Sequence, residues 1–279
     1  MDNGQRIVTV GSYTNFDNPN VHRLSELKPA ATKLILEPGV DLVELLKLTL
    51  FDLTLKQVLI IKKVLRKAHS RDPHLREYVV VETGKNFSKY SPNAFEEYFT
   101  SIIDEDSYYQ LKSYLREIAK EVPPKFRYKQ QIIQDAKIKD LFKRDLISSL
   151  FPWIRTNARG EQLRADISSY LNEADLHIGD LIDSDPDKAL ELILFLQGNI
   201  FLLKNLKFEH LENLKAVSIE GRSGDDGYFD DWFWIDFLCD TDLSISELFS
   251  DVSEMFDSID DYFDFSAGDW DGDFGVDFD

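Results

Sequence analysis

Several residue types and patterns are scarce in this chain, and each scarcity excludes something. One cysteine, Cys239, in 279 residues excludes an intrachain disulfide framework and any multi-cysteine zinc or iron–sulfur centre. The longest apolar run, around residues 192–203, is interrupted by Gln197, Gly198 and Asn199. It is far shorter than the roughly 20 apolar residues that span a bilayer. No N-terminal stretch joins a basic end, an apolar run and a small-residue cleavage site, so no secretory signal is expected and a soluble cytoplasmic protein fits. Missing too are the nucleophile elbow G-x-S-x-G, the phosphate-cradling G-x-x-x-x-G-K-[ST], the zinc motif H-E-x-x-H and the dinucleotide fingerprint. Basic residues are nearly absent from one region: residues 221–279 hold only Arg222 against 19 acidic side chains.

What is present is an ordinary body with an unusual end. At 43% apolar residues the chain can bury a substantial core. The formal net charge is −19, of which −18 lies in residues 221–279, leaving the first 220 residues close to neutral. The same end holds 14 of the 35 aromatics, among them Trp232, Trp234 and Trp270. Solubilising acidic tails are poor in rings, because rings promote association. Carboxylates interleaved with rings read instead as a surface that binds something or folds back on the body.

Along the chain, residues 7–10 alternate as a short strand before the turn-rich stretch 11–20. Apolar spacing predicts a helix over 40–50, with Asp41 near its start, and a second helix after Asp52 running through Leu65. The β-branched run 76–82 predicts a strand, closed by a turn at Thr83, Gly84 and Lys85. Helical spacing follows at 95–103 and 108–118, stopped by Pro123 and Pro124. Further helices are expected over 129–151, 163–171, from Asp185 and Pro186 onward, and over 202–214 with a break near Gly198. The glycine-rich 221–227 reads as a linker, and the apolar density of 230–238 demands burial. Ser244 and Glu247 form a capping box opening a helix. Its apolar stripe of Ile245, Leu248, Phe249, Val252, Phe256, Ile259 and Phe263 is expected to dock on the body, the alternative being a partner interface, since monomers rarely leave such a stripe in water.

The expected fold is therefore mainly α, with a few short strands near the N-terminus and a docked C-terminal amphipathic helix. It divides into a small α+β module at 1–90, a helical domain at 91–220, an acidic aromatic segment at 221–264 and a disordered acidic tail at 265–279. The helix–helix–strand–turn order across 41–90 resembles part of a winged-helix module in its spacing. Lys56 to Arg76 carries seven basic residues against Asp72 alone. Clustered cations are what phosphate contact needs, so Lys62, Lys63, Arg66 and Lys67 are candidate nucleic-acid contacts on the second helix. The plainer alternative has their long stems covering the outer face of an apolar helix.

Other constellations carry less. His69 and His74 bracket Asp72 in a loop with no third ligand nearby, which is not a metal spacing. Counting from Asp269, carboxylates fall at the first, third, fifth and ninth places of a calcium loop. Phe274 stands where that loop needs glycine, and the chain ends before the bidentate twelfth ligand. Cys239 has acidic neighbours that disfavour its thiolate, so it reads as an inert packed thiol. No metal or cofactor is expected. The leading expectation is a non-enzymatic accessory or adaptor protein that contacts a partner with a basic surface through its acidic, aromatic end. Trp270, Phe274 and Phe278 are the candidate anchors, with charge speeding encounter and rings supplying affinity. The alternatives are a nucleic-acid-binding regulator using the cations near Lys62, a nucleic-acid mimic, and an enzyme whose site is assembled from distant segments.

Overall fold

The computed structural model describes residues 18–67, 71, 73–105, 107–143, 154–206 and 245–257. The described chain is mainly helical, with one three-stranded antiparallel sheet towards its N-terminal end. Two short helices come first, neither anticipated from the sequence: α1 (Pro19–Glu26) and α2 (Pro29–Leu36). Each opens on a proline, whose fixed φ suits a first helical turn and whose missing N–H costs nothing there. The Asn18 side chain caps α1 by accepting from the Asn20 amide.

Helix α3 (Leu42–Leu55) is buried around most of its circumference, which makes it a central element and not a surface one. It ends where Gln57 adopts φ of 51°, a left-handed value that a continuing helix does not admit. Here one expectation fails. The segment after Asp52 is not a second helix through Leu65; it turns at Gln57 and enters strand β1 (Leu59–Lys67). The β-branched Ile60, Ile61 and Val64 favour the pleated chain, and pairing with the run beyond residue 74 overrides the helical spacing of the leucines. Lys62, Lys63, Arg66 and Lys67 therefore stand on a strand, and the order from residue 41 is helix–strand–strand.

Strand β2 (Leu75–Thr83) covers the predicted 76–82 and pairs with β1 along its whole length, from Leu59 opposite Thr83 to Lys67 opposite Leu75. At the root of this hairpin the Gly84 amide donates to the Val58 carbonyl. A Cβ at Gly84 would sit 2.0 Å from the Gln57 carbonyl oxygen, so only glycine fits.

The helical spacing of 95–103 yields a single turn, α4 (Glu97–Thr100). Tyr108 opens a third strand, β3 (Tyr108–Gln110), before α5 (Leu111–Glu121), so the helix expected from 108 begins three residues late. Helix α6 (Lys125–Asp135) stops well before residue 151, because Lys137 takes φ of 55° and Phe142 bridges to Thr156. Helix α7 (Ala158–Ser184) runs far beyond the predicted 163–171. Its start is fixed by the Asn157 side chain accepting from the Gly160 amide. Helix α8 (Pro186–Leu196) begins at the predicted Asp185, which accepts from the Lys188 amide. Past it the chain makes a 3-10 turn at residues 197–202, and 203–206 are not helical as expected.

Helix α9 (Ile245–Asp257) packs on α3 and α5. Val252 and Phe256 are fully buried, and Lys47 on α3 meets the Asp257 carboxylate at 2.6 Å. The docked C-terminal helix is thus observed. One apolar cluster contains residues from Val21 to Phe256, with α3 near its middle. Buried hydroxyls inside it are satisfied: Tyr114 donates to the Phe99 carbonyl, and Tyr128 to that of Phe95. The expected strand at 7–10, the linker at 221–227, the apolar run 230–238 and Cys239 lie outside the described residues.

Candidate functional site

The hairpin is the feature with most to offer a partner. Nine residues per strand, rising about 3.3 Å each, make a ribbon about 30 Å long. Its root is core, since Leu59, Ile61, Val80 and Val81 are all buried. The distal half leaves the body, with Leu65 65% and Leu75 59% exposed. Side chains alternate between the two faces. One face carries Lys63, Leu65 and Lys67, with Leu75 and Glu77 beside them on β2. The other carries Lys62, Val64 and Arg66, with Arg76 and Tyr78 beside them.

Part of this charge is neutralised locally. Lys62 reaches Glu82 at 2.6 Å and Lys63 reaches Glu77 at 3.6 Å. The Arg66 guanidinium stacks 4.0 Å from the Tyr108 ring centroid and donates to its hydroxyl. Arg66, Lys67, Arg71, His74 and Arg76 are exposed around the tip. The structure thus brings the four predicted cations together on one ribbon, on alternate faces instead of along a helix. Trp270, Phe274 and Phe278 lie outside the described residues, as does the acidic run around Asp269; Asp257 is the last described residue before them.

A second charged cluster, missed by sequence reasoning, has buried carboxylates and half-buried ammonium groups. Lys28, at the junction of α1 and α2, meets the Glu96 carboxylate at 2.5 Å. Glu96 also accepts from the Tyr90 hydroxyl at 2.9 Å and the Asn93 amide at 2.8 Å. The Lys28 ammonium lies over the Tyr90 and Phe95 rings. Close by, Asp52 on α3 pairs with Lys56 at 2.5 Å. Burial pulls the Lys28 pKa down while Glu96 pushes it back up. Burial likewise raises the Asp52 carboxyl against the pull of Lys56, and burial with Glu96 raises the Tyr90 phenol.

Gly198 closes over this cluster, since a Cβ there would stand 2.3 Å from Asp52 Oδ1. Asn199 next to it donates to the carbonyls of Leu24 and Leu27, tying the end of α1 to the core. Every charge in the cluster has its partner inside the fold, so its role is to join α1, α2, α3 and the 90–96 loop. The signals for it were present but unread: a lone Asp in the apolar run of α3, and Gly198 and Asn199 interrupting another.

Nearby, an open surface cleft of about 440 Å³ is lined by Phe87, Tyr90, Tyr98, Glu97 and Glu121 among others. Rings beside carboxylates suit a cation. Among the described residues, no group of three His, Cys, Asp or Glu side chains is placed to hold a metal ion, and no helix is long and apolar enough to cross a membrane. Compared with known protein families, curated proteins and solved structures, the chain matches none.

Proposed function

We propose that this protein is a non-enzymatic accessory or adaptor protein whose acidic, aromatic C-terminal region contacts a partner with a basic surface. The observation that supports this reading most is the docking of α9. Its buried Val252 and Phe256, with the Lys47–Asp257 pair, fasten the chain to α3 and α5 just before the most acidic stretch. An acidic segment rooted on a folded body is delivered from a fixed place, which lowers the ordering cost of binding compared with a wholly free tail. Charge then accelerates encounter, and Trp270, Phe274 and Phe278 supply short-range contact.

The test is capture from a lysate of the source cells on the immobilised full chain, at low and high salt. Replacing Trp270, Phe274 and Phe278 by alanine is expected to release the basic proteins retained by the parent chain. Retention of every one of them would end this reading.

A second reading, nucleic-acid binding, has the hairpin in its favour. A two-stranded ribbon fits the major groove of duplex DNA, and this one carries cations on both faces. It predicts a salt-steep mobility shift of a labelled duplex that is lost in Arg66→Glu/Lys67→Glu. Absence of a shift at low salt would remove it.

A further inference from the structure

The cleft beside the charged cluster has walls that the fold holds in place. Three stretches meet there: the 3-10 turn Phe87–Lys89, the chain from Tyr90 through α4, and the end of α5 at Glu121. Glu96, immediately before α4, is fixed by Lys28, the Tyr90 hydroxyl and the Asn93 amide. Phe99 within α4 is fully buried, and its carbonyl accepts from the Tyr114 hydroxyl of α5. Between these two anchors Tyr98 packs on the Tyr128 ring at 6.1 Å between centroids, and its hydroxyl accepts from the Gln131 side-chain amide at 2.8 Å. The hydroxyls of Tyr90 and Tyr98 thus both have partners inside the protein, and what these side chains offer the cleft is ring.

The charge of these walls has one sign. Glu97 and Glu121 are exposed, and neither has an ion-pair partner among the described residues. No Lys or Arg lines the cleft. The Tyr90 ring already carries the Lys28 ammonium, 5.5 Å from its centroid, but among the described residues no cation lies over the ring of Phe87 or Tyr98. Two rings and two carboxylates are therefore left over at one surface. A ring face attracts a cation through its quadrupole, and alkylated ammonium groups are the cations that aromatic walls recognise best. A hard divalent cation such as calcium takes roughly six to eight oxygen ligands, more than two exposed carboxylates supply.

We infer that this cleft is a binding site for an alkylated ammonium group, held against the Phe87 and Tyr98 rings with Glu97 and Glu121 supplying the opposing charge. Its volume of about 440 Å³ falls within the range of small-ligand sites, about 300–1,000 Å³. That is room for such a head group and a short chain. Because Glu96, Phe99 and Gln131 already fix the walls, binding orders few protein groups, and a preorganised site loses less of its interaction energy to ordering. The inference goes beyond the proposed function and stands apart from it, since every residue it uses belongs to the body and it needs no protein partner.

The experiment is an NMR titration of the 15N-labelled full chain with three probes: choline, its neutral isostere with carbon in place of the ammonium nitrogen, and a capped trimethyllysine. Millimolar choline is expected to shift amide signals within residues 87–101 and at Glu121, and the isostere to bind several-fold more weakly. Glu97→Gln/Glu121→Gln changes two exposed side chains and should weaken choline several-fold. Phe87→Leu/Tyr98→Leu, with unchanged circular dichroism, should lose most of the binding; if that chain unfolds, Phe87→Leu alone is expected to weaken it. Binding of either trimethylammonium compound in the cleft supports the inference, and the tighter of the two tells a free solute from a modified lysine side chain. Equal binding of the isostere would make the cleft merely apolar and overturn the ammonium assignment. Binding that the carboxylate and ring variants leave unchanged would place the cation elsewhere on this acidic chain and overturn the site. No shift with either trimethylammonium compound would overturn the inference outright.

Discussion

Two regions of this molecule are dense in charge, and they differ in how far that charge is taken out of water. Under α2 and α3, Lys28, Glu96, Asp52 and Lys56 are matched pairwise at 2.5 Å, with Tyr90 and Asn93 filling the remaining acceptor sites of Glu96. On the distal hairpin, Arg66, Lys67, Arg71 and Arg76 stand exposed. Charge density alone marks neither region as a contact surface. What separates them is exposure: the carboxylates of the first are closed into the fold and the cations of the second stand in solvent, so the two should respond differently to substitution.

The largest effect is expected in the buried cluster. Glu96→Ala strands the Lys28 ammonium and leaves the Tyr90 hydroxyl without its acceptor. Breaking one side of a buried pair costs about 3–5 kcal/mol, readable as a lowered midpoint in urea unfolding. Phe256→Ala should cost a similar amount, about 3–5 kcal/mol for a buried ring, and would show that α9 belongs to the folding unit. Lys47→Ala, which removes only the partner of the exposed Asp257, should cost about 1 kcal/mol or less. Smaller again is the hairpin tip: Lys67→Glu should move stability by about 0.5 kcal/mol or less. An unfolding penalty there as large as that of Glu96→Ala would erase the distinction between the two regions.

A pH experiment sharpens the same contrast. Burial brings Lys129, whose ammonium donates to the Pro38 carbonyl, from an ordinary 10.5 down to about 8. Below pH 8 the folded chain carries the full penalty of a buried charge. Between about 8 and 10.5 it has shed that proton while the unfolded chain still holds it, so this group makes stability rise with pH. Lys129→Met should lack that rising component in unfolding measured across the same window.

Much of the helical content and the C-terminal helix were legible in the sequence, because apolar stripes at three and four residues carry their own physics. Asp185 before Pro186 announced α8 for the same reason. The hairpin was legible only in half. The valines of β2 read as a strand, but β1 did not. Its leucines and lysines fit a helix locally, and what decides the matter is pairing with β2 and the left-handed turn at Gln57. Proximity of that kind has no period. The buried cluster was hidden for a related reason: Lys28, Asp52 and Glu96 lie far apart in sequence, and only the packing of α2 against α3 brings them together. The four cations do share one element, but it is a strand and not the expected helix.

The central claim is that the C-terminal rings serve contact and the helix before them serves the fold. The most direct test measures partner retention and thermal unfolding together on the full chain carrying Trp270→Ala, Phe274→Ala and Phe278→Ala. The account predicts a melting temperature within about 2 °C of the parent, as for changes outside the core, together with loss of the retained basic proteins. A melting temperature lowered as far as by Phe256→Ala, with those proteins still bound, would contradict it.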